Sequence, residues 1–207
     1  MYELIIASQE ARAVFDAPRV RMTCLGGGPG SDLVGVLKYI AATDKTKALF
    51  CEIVDGCLQW KSTWSDLAYT LDLQCALHTD YVIHNVADRG TWDAPNNFKK
   101  ADIFTLNFFA SEITHLGERS REYLAYALSQ ARRGAILLMN DNNDHRFYGW
   151  VQEVAAEQNF ELLLGDEGDR RIYDVGERRS ELGVYAEKFG RHSRLTGQLA
   201  WRVFRKG

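Results

Sequence analysis

The sequence predicts an α/β fold built around a mainly parallel sheet, and three observations support this. Short β-rich apolar runs alternate with segments whose apolar residues recur at helical spacing. A glycine-rich turn at residues 26–30 follows the first apolar run and leads into a helical pattern. The chain has 207 residues, is 46% hydrophobic and shows no repeat or linker, which predicts one domain over residues 1–207. Residues 1–18 are expected to be a helical extension, packed on the sheet or over the ligand site.

The predicted elements follow one another in a regular order. Apolar residues at spacings of three and four residues predict helices at residues 32–43, 59–73, 118–132 and 147–158. In the second of these helices, Trp60, Trp64, Leu67 and Leu71 are expected to share one side. Runs rich in β-branched and aromatic residues predict strands at residues 21–25, 47–54, 81–86, 101–108, 135–139, 160–164 and 199–204. Residues 165–197 are charged and weakly periodic, with a short helix expected near residues 180–189.

The glycine-rich turn is the most informative segment of the chain. Gly26, Gly28 and Gly30 have no Cβ, so the backbone can turn sharply and bring its N–H groups close to a ligand. Four glycines and a proline within five residues are costly for a mere connection, because each glycine loses extra backbone entropy on folding. A strand, a glycine turn and a helix N-terminus in this order are suited to a nucleotide-like ligand.

The spacing of these glycines discriminates between two ligand classes. A dinucleotide fingerprint needs glycine or alanine at the position that Ser31 occupies, which argues against an NAD-dependent oxidoreductase. The alternating glycines with a proline before the last resemble motif I of class I S-adenosylmethionine (SAM) methyltransferases. This resemblance implies a seven-stranded, mostly parallel, Rossmann-like sheet whose last strand is antiparallel and lies between the fifth and sixth. It also implies SAM as the cofactor, held by the loop residues Leu25, Gly26, Gly27, Gly28 and Gly30.

The resemblance implies further cofactor contacts and has one departure. The family often has an acid where this chain has Cys24, so Asp32 is a candidate for the missing carboxylate contact. Asp55 ends the second predicted strand, where a carboxylate can accept hydrogen bonds from ribose hydroxyls; the alternative is an ordinary Asp-Gly turn. After the third strand, Val86 or Ala87 is expected on the adenine ring and Asp88 at its exocyclic amine, unless Asp88 is a plain loop acid.

The end of the fourth predicted strand carries Asn107, Phe108 and Phe109. This segment resembles in part the Asn-Pro-Pro-aromatic tetrapeptide of some nucleic-acid and amine methyltransferases, but it lacks the prolines. Asn107 is therefore predicted both to contact the cofactor and to accept a hydrogen bond from a target nitrogen. The two phenylalanines either stack on a planar substrate or belong to the core.

Polar residues also follow the fifth predicted strand. Asp141, Asp144 and His145 are expected to face the cleft, and Asp141 and His145 are the candidates for positioning or deprotonating a substrate. The spacing does not match a calcium loop. His84 is an alternative base, although a lone histidine more often has a structural role.

Composition and charge limit the remaining choices. The formal net charge is −3, but residues 170–206 carry ten Lys and Arg against four Asp and Glu, which suits an RNA contact or a solvated edge. The sequence has no apolar run long enough for a membrane span, no secretory signal, and four cysteines without metal-binding spacing. A cytoplasmic or nuclear methyltransferase is expected, with RNA ranked first as the acceptor. The alternatives are a small-molecule or protein acceptor, and a non-catalytic SAM-binding subunit that supports a protein partner.

Overall fold

A computed structural model describes residues 1–171 and 196–207, together with residues 187, 188 and 190. Its α-helices are α1 (Tyr2–Ala7), α2 (Gln9–Phe15), α3 (Ser31–Thr43), α4 (Gln59–Thr70), α5 (Phe109–Ile113), α6 (Glu118–Ser129) and α7 (His145–Glu157). Its strands are β1 (Arg19–Leu25), β2 (Ala48–Asp55), β3 (Ala76–Ile83), β4 (Ile103–Asn107), β5 (Ile136–Asn142), β6 (Phe160–Arg171) and β7 (Thr196–Lys206).

The strands form one sheet in the order β3-β2-β1-β4-β5-β7-β6. Strands β1 to β5 pair in parallel, whereas β7 pairs antiparallel with both β5 and β6. The predicted fold class is therefore confirmed, including the last strand inserted between the fifth and sixth. The strand order reverses between β1 and β4, and ligands of open α/β sheets bind at the carboxyl ends of the strands beside such a reversal.

Two apolar layers sandwich the sheet, because successive side chains of a strand point to opposite faces. On one face, Met22 and Cys24 of β1 pack in a cluster with residues of α1 to α4. On the other face, Leu25 belongs to a cluster that includes residues of α5, α6 and α7. The helices thus cover both faces near the reversal and leave the carboxyl edge of the sheet open for a site.

The first residues form two short helices, separated at Ser8. The Ser8 hydroxyl oxygen accepts the backbone N–H of Ala11 at 3.1 Å and caps α2. Ile5 and Phe15 are fully buried, and the ring of Phe15 lies 5.6 Å from that of Tyr39 in α3. This segment packs on the sheet together with α3.

Some element boundaries differ from those that the sequence predicts. Strand β3 ends at Ile83 rather than at residue 86 and begins five residues earlier, because it is the sheet edge and its exposed polar residues obscure the apolar pattern. In α4, Trp64 is 4% exposed as expected, but Trp60 is 41% exposed. Strands β6 and β7 extend well beyond the predicted ranges. Most of the short helix expected near residues 180–189 lies outside the described residues. No helix within the described ranges has the length and apolar character needed to span a membrane.

Candidate functional site

The glycine loop lies between β1 and α3 and is tied to the end of β2. The backbone N–H groups of Gly26 and Gly27 donate to the Val54 carbonyl oxygen at 2.8 and 3.2 Å. Gly26, Gly28 and Gly30 all have positive φ angles, which explains why glycine is needed at these three positions. The loop is therefore a rigid turn at the carboxyl edge of the sheet.

Asp55 joins two loops at this edge. Its Oδ2 accepts the Gly28 N–H at 2.9 Å, and its Oδ1 accepts the Cys57 N–H at 2.8 Å. Tyr81 braces the same region, since its hydroxyl donates to the Cys57 carbonyl oxygen at 3.1 Å, and burial raises the pKa of that phenol. Asp55 thus does more than shape an Asp-Gly turn, and each carboxylate oxygen keeps a lone pair for a further donor.

A cavity of about 230 Å³ lies beside Asp55. The residues that supply its apolar walls are Val54, Val86, Ile113 and Leu116. Its volume is below the roughly 300–1,000 Å³ of pockets that enclose a whole small molecule. The cavity therefore suits one portion of a larger ligand, with an acceptor group at one end and an apolar slot at the other.

Phe109 closes one side of this cavity by packing on Gly26. A Cβ on Gly26 would lie 1.9 Å from Cδ2 of the Phe109 ring. Phe109 is 7% exposed and belongs to the core. Of the two roles predicted for this side chain, packing in the core and stacking on a planar substrate, the structure supports packing in the core. Phe108 is half-buried and has a left-handed backbone, with φ of 58°. Phe108 therefore keeps part of its surface accessible.

The loop after β3 contributes Asn85 and Val86 to the cavity, but not Asp88. Asp88 is exposed, and its Oδ1 accepts the Gly90 N–H at 3.0 Å in a local turn, which supports the interpretation as a plain loop acid. His84 lines the inner end of the cavity and is 2% exposed. Burial lowers the pKa of its imidazole, so the ring is neutral at physiological pH.

Asn107 is held in a chain of side-chain hydrogen bonds that runs from the end of β4 across β5 to the middle of β7. Asn140 Nδ2 donates to Asn107 Oδ1 at 2.7 Å, and Trp201 Nε1 donates to Asn140 Oδ1 at 2.9 Å. Asn107 Nδ2 in turn donates to Ser31 Oγ at 3.5 Å. These contacts fix the orientation of the Asn107 amide. The sequence did not point to Asn140 or Trp201, because they come from separate strands.

Asp141 and His145 do not line the cavity. Asp141 is fully buried, and its two oxygens accept the N–H groups of Ser111 at 3.0 Å and Asn142 at 2.7 Å. It therefore positions α5 against β5. His145 is exposed at the start of α7, where its ring meets Tyr148 edge-on at 5.2 Å.

Two further carboxylates lie near the glycine loop or the cavity: Asp32, which the sequence predicted to contact the cofactor, and Glu112, for which it predicted no role. Asp32 is 1% exposed and accepts a hydrogen bond from Thr105 Oγ1 at 2.5 Å, so it lies beneath the glycine loop rather than in the cavity. Glu112, which the sequence did not indicate, lines the cavity next to Asp55. Partial burial, together with the charges of Asp55 and Asp141, raises the pKa of Glu112.

The burial of Asp32 leads to a pH-dependent prediction. Burial raises its pKa from 3.8 to about 6, so the native state loses stability as pH rises through this interval. Asp32→Asn is expected to stabilise the protein by about 3 kcal/mol at pH 7, and by much less at pH 4. Urea unfolding of both proteins at several pH values measures the difference. A stability difference that is constant between pH 4 and pH 7 would contradict this assignment.

Three cations of the basic segment predicted to contact RNA, Arg202, Arg205 and Lys206, contact other groups of the fold. Arg202 is 2% exposed, forms an ion pair with Glu167 and lies 4.0 Å from the centroid of the Tyr148 ring. Lys206 Nζ donates to the Gln158 carbonyl oxygen at 2.5 Å. Arg205 lies 3.7 Å from a carboxylate oxygen of Glu161 but is itself exposed.

Comparison with known proteins gives a consistent result at the level of the fold. No family model matches the chain, and no curated protein sequence matches it either. A SAM-dependent methyltransferase of Methanosarcina mazei matches with a TM-score of 0.58 and 8% identity, over 91% of this chain and 93% of that one. A protein of Pyrococcus horikoshii assigned as an RNA methyltransferase matches with a TM-score of 0.55 and 14% identity, over 99% and 81%. A protein of Galdieria sulphuraria assigned as a sarcosine dimethylglycine methyltransferase matches with a TM-score of 0.59 and 12% identity, over 100% and 85%.

The chain therefore has the fold of class I SAM-dependent methyltransferases. This confirms, for the fold, the resemblance that the glycine loop suggested. The neighbours are assigned to different acceptors, so the fold does not define the substrate.

Proposed function

We propose that this protein binds SAM and transfers its methyl group to an acceptor. The observation that supports this most is Asp55, which joins the glycine loop to the end of β2 and borders an apolar cavity. In this arrangement the ribose hydroxyls donate to Asp55, and the adenine enters the slot beside Val54 and Val86. The backbone of Leu25, Gly26, Gly27, Gly28 and Gly30 carries the rest of the cofactor.

Glu112 is the residue that we assign to the amino-acid end of the cofactor. Cys24 stands where the family often has an acid. Its side chain is a fully buried thiol, so a carboxylate for this contact must come from another residue. Glu112 lines the cavity and has no ion pair among the described residues, so its carboxylate is available to a cationic group. An α-ammonium group of the ligand would satisfy this carboxylate and lower its pKa.

Methyl transfer from a sulfonium requires an in-line approach and a desolvated nucleophile more than it requires an acid or base. Asn107 suits the positioning of an acceptor nitrogen, because hydrogen bonds with the Asn140 amide and the Ser31 hydroxyl hold its side chain. Asp141 is buried and holds α5 against β5, whereas the buried His84 lines the inner end of the cavity. His145 is retained as a candidate for substrate binding at the exposed start of α7.

RNA is the first proposed acceptor. The half-exposed Phe108 beside Asn107 can stack on an unpaired base, and the sequence of residues 170–195 is rich in arginine. Because Arg202 and Lys206 are engaged within the fold, RNA contact depends mainly on the cations that precede them. A small amine or a protein amine is the second proposed acceptor, because the side-chain carbonyl of Asn107 can accept a further hydrogen bond from an amine nitrogen.

Transfer of a tritiated methyl group distinguishes these acceptors. The protein is incubated with labelled SAM and, separately, with total RNA, protein extract or a metabolite fraction. Label in RNA supports the first proposal, whereas label only in the metabolite or protein fraction excludes it and supports the second. Binding of SAM without label in any fraction would identify a non-catalytic SAM-binding subunit.

A further inference from the structure

A second cavity, of about 330 Å³, opens on the face of the sheet formed by β1, β2 and β3. It exists because the crossover from β3 to β4 forms only two short 3-10 turns, at Arg89–Thr91 and Phe98–Lys100, so no α-helix of this crossover covers that face. We call this cavity the side pocket. Its lining includes Arg21, Thr23, Phe50, Glu52, His78, Asp80 and Lys100.

The register of the three strands arranges side chains of the side pocket in a row. Arg21 pairs with Phe50, and Phe50 pairs with His78. The Arg21 guanidinium lies 5.3 Å from the centroid of the Phe50 ring, and the His78 ring stacks on the same ring at 4.6 Å and 10°. This row forms a planar, partly apolar wall with a cation at one end.

The floor of the side pocket contains a buried hydroxyl without a partner. Thr23 is 1% exposed, and its Oγ1 has no hydrogen-bond partner within the described part of the chain. Beside it, Glu52 is 3% exposed and accepts the N–H of Asn97 at 2.9 Å. A buried polar atom without a partner is costly, so a ligand that offers a donor to Thr23 and Glu52 gains a favourable contact there.

The rim of the side pocket carries the cations Arg21 and Lys100 and one exposed carboxylate, that of Asp80. Within the described residues, the guanidinium of Arg21 forms no ion pair, and Arg19 lies over the same Phe50 ring at 5.9 Å from its centroid. Lys100 Nζ has a single long hydrogen bond, to Asn97 Oδ1 at 3.4 Å. Arg21 is the cation at this rim that best suits a phosphate, because its planar guanidinium can donate two hydrogen bonds to one anion, whereas Lys100 also lies near the carboxylate of Glu52.

We propose that the side pocket binds a nucleotide phosphate whose base carries an exocyclic amine. The amine would donate to Thr23 Oγ1 and Glu52, the base would lie along the Phe50 row, and the phosphate would meet Arg21 and Lys100. The volume falls within the range of small-molecule pockets. This site is separate from the cofactor cavity and does not depend on the proposed methyl transfer. A free nucleotide and a unit of single-stranded RNA share this chemistry.

Calorimetric titration with adenosine 5′-monophosphate (AMP) tests the site, with purine riboside 5′-monophosphate, which lacks only the amine, as the matched ligand. The AMP is expected to bind about tenfold more tightly than its analogue. Thr23→Val removes the unpartnered hydroxyl without loss of volume, so the variant should fold at least as stably and bind AMP about tenfold more weakly. Lys100→Ala should weaken both ligands alike.

Asp55→Ala separates the side pocket from the cofactor cavity, which could also admit adenosine. AMP binding that persists in Asp55→Ala but weakens in Thr23→Val supports the side pocket. AMP binding that is lost in Asp55→Ala and unchanged in Thr23→Val overturns it, as does an absence of AMP binding to the wild-type protein. Failure to bind SAM, with AMP binding that depends on Thr23, would reject the methyltransferase proposal and leave the side pocket intact.

A comparison of AMP with a short oligoadenylate identifies the source of the ligand. Tighter binding of the oligoadenylate, lost in Lys100→Ala, supports single-stranded RNA, because neighbouring phosphates add contacts and salt dependence. Equal or tighter binding of AMP supports a free nucleotide. Binding of both that is indifferent to Thr23→Val and Lys100→Ala contradicts the proposal.

Discussion

Asp55→Ala is expected to weaken binding of S-adenosylhomocysteine, the demethylated product of SAM, by about 10- to 150-fold. The substitution removes the acceptor that we assign to the ribose hydroxyls. It also leaves the N–H groups of Gly28 and Cys57 without their partner, so the glycine loop loses its link to the end of β2. Calorimetric titration of the two proteins measures the change in affinity.

Asp88→Ala is the matched control for this experiment. Asp88 is also an acid on a strand-end loop, but it is exposed and does not line the cavity. Its replacement is expected to leave the affinity almost unchanged. If Asp88→Ala weakens binding more than Asp55→Ala, the adenine amine contacts Asp88 and the ligand position that we propose is incorrect.

Gly26→Ala is expected to destabilise the protein by about 2–5 kcal/mol. The added Cβ would lie 1.9 Å from the Phe109 ring, and the backbone there has φ of +65°, which alanine adopts at a cost. Urea unfolding measures this loss. Gly28→Ala is the matched control, since Gly28 also has a positive φ, of +49°, but its added Cβ would meet only Trp60 Nε1, at 4.0 Å.

A second substitution tests the steric cause. Phe109→Ala removes the ring that the new Cβ would strike, so the double variant should be destabilised by clearly less than the sum of the two single changes. Additive losses would show that the Gly26 backbone conformation, rather than contact with Phe109, accounts for the effect.

Local features of the sequence predict the loop and the acid on which the proposed site is centred. The glycine spacing at residues 26–30 and the acid at Asp55 depend on backbone conformation and on a strand end, which are visible in a short window. The order of the strands in the sheet was predicted from the resemblance of this glycine loop to motif I of class I SAM methyltransferases. Strand β3 was misplaced because an edge strand with exposed His78 and Asp80 lacks a clear apolar pattern.

The residues that the sequence missed owe their place to tertiary contacts. Trp201 reaches Asn140 across 61 residues of chain, and Glu112 enters the cavity because α5 begins directly after β4. Asp141 lies near the end of a parallel strand, as a catalytic acid could, yet its carboxylate oxygens accept the backbone N–H groups of Ser111 in α5 and of Asn142 in β5. Neither the pairing nor the burial of such a side chain can be read from its neighbours in sequence.

Titration of the purified, ligand-free protein with SAM and with S-adenosylhomocysteine tests the central claim most directly. The account predicts saturable binding of both compounds with one site per chain, weakened by Asp55→Ala. A folded protein that releases no heat with either compound, and whose melting temperature neither compound changes, would contradict the assignment of the glycine loop and the Asp55 cavity to this cofactor.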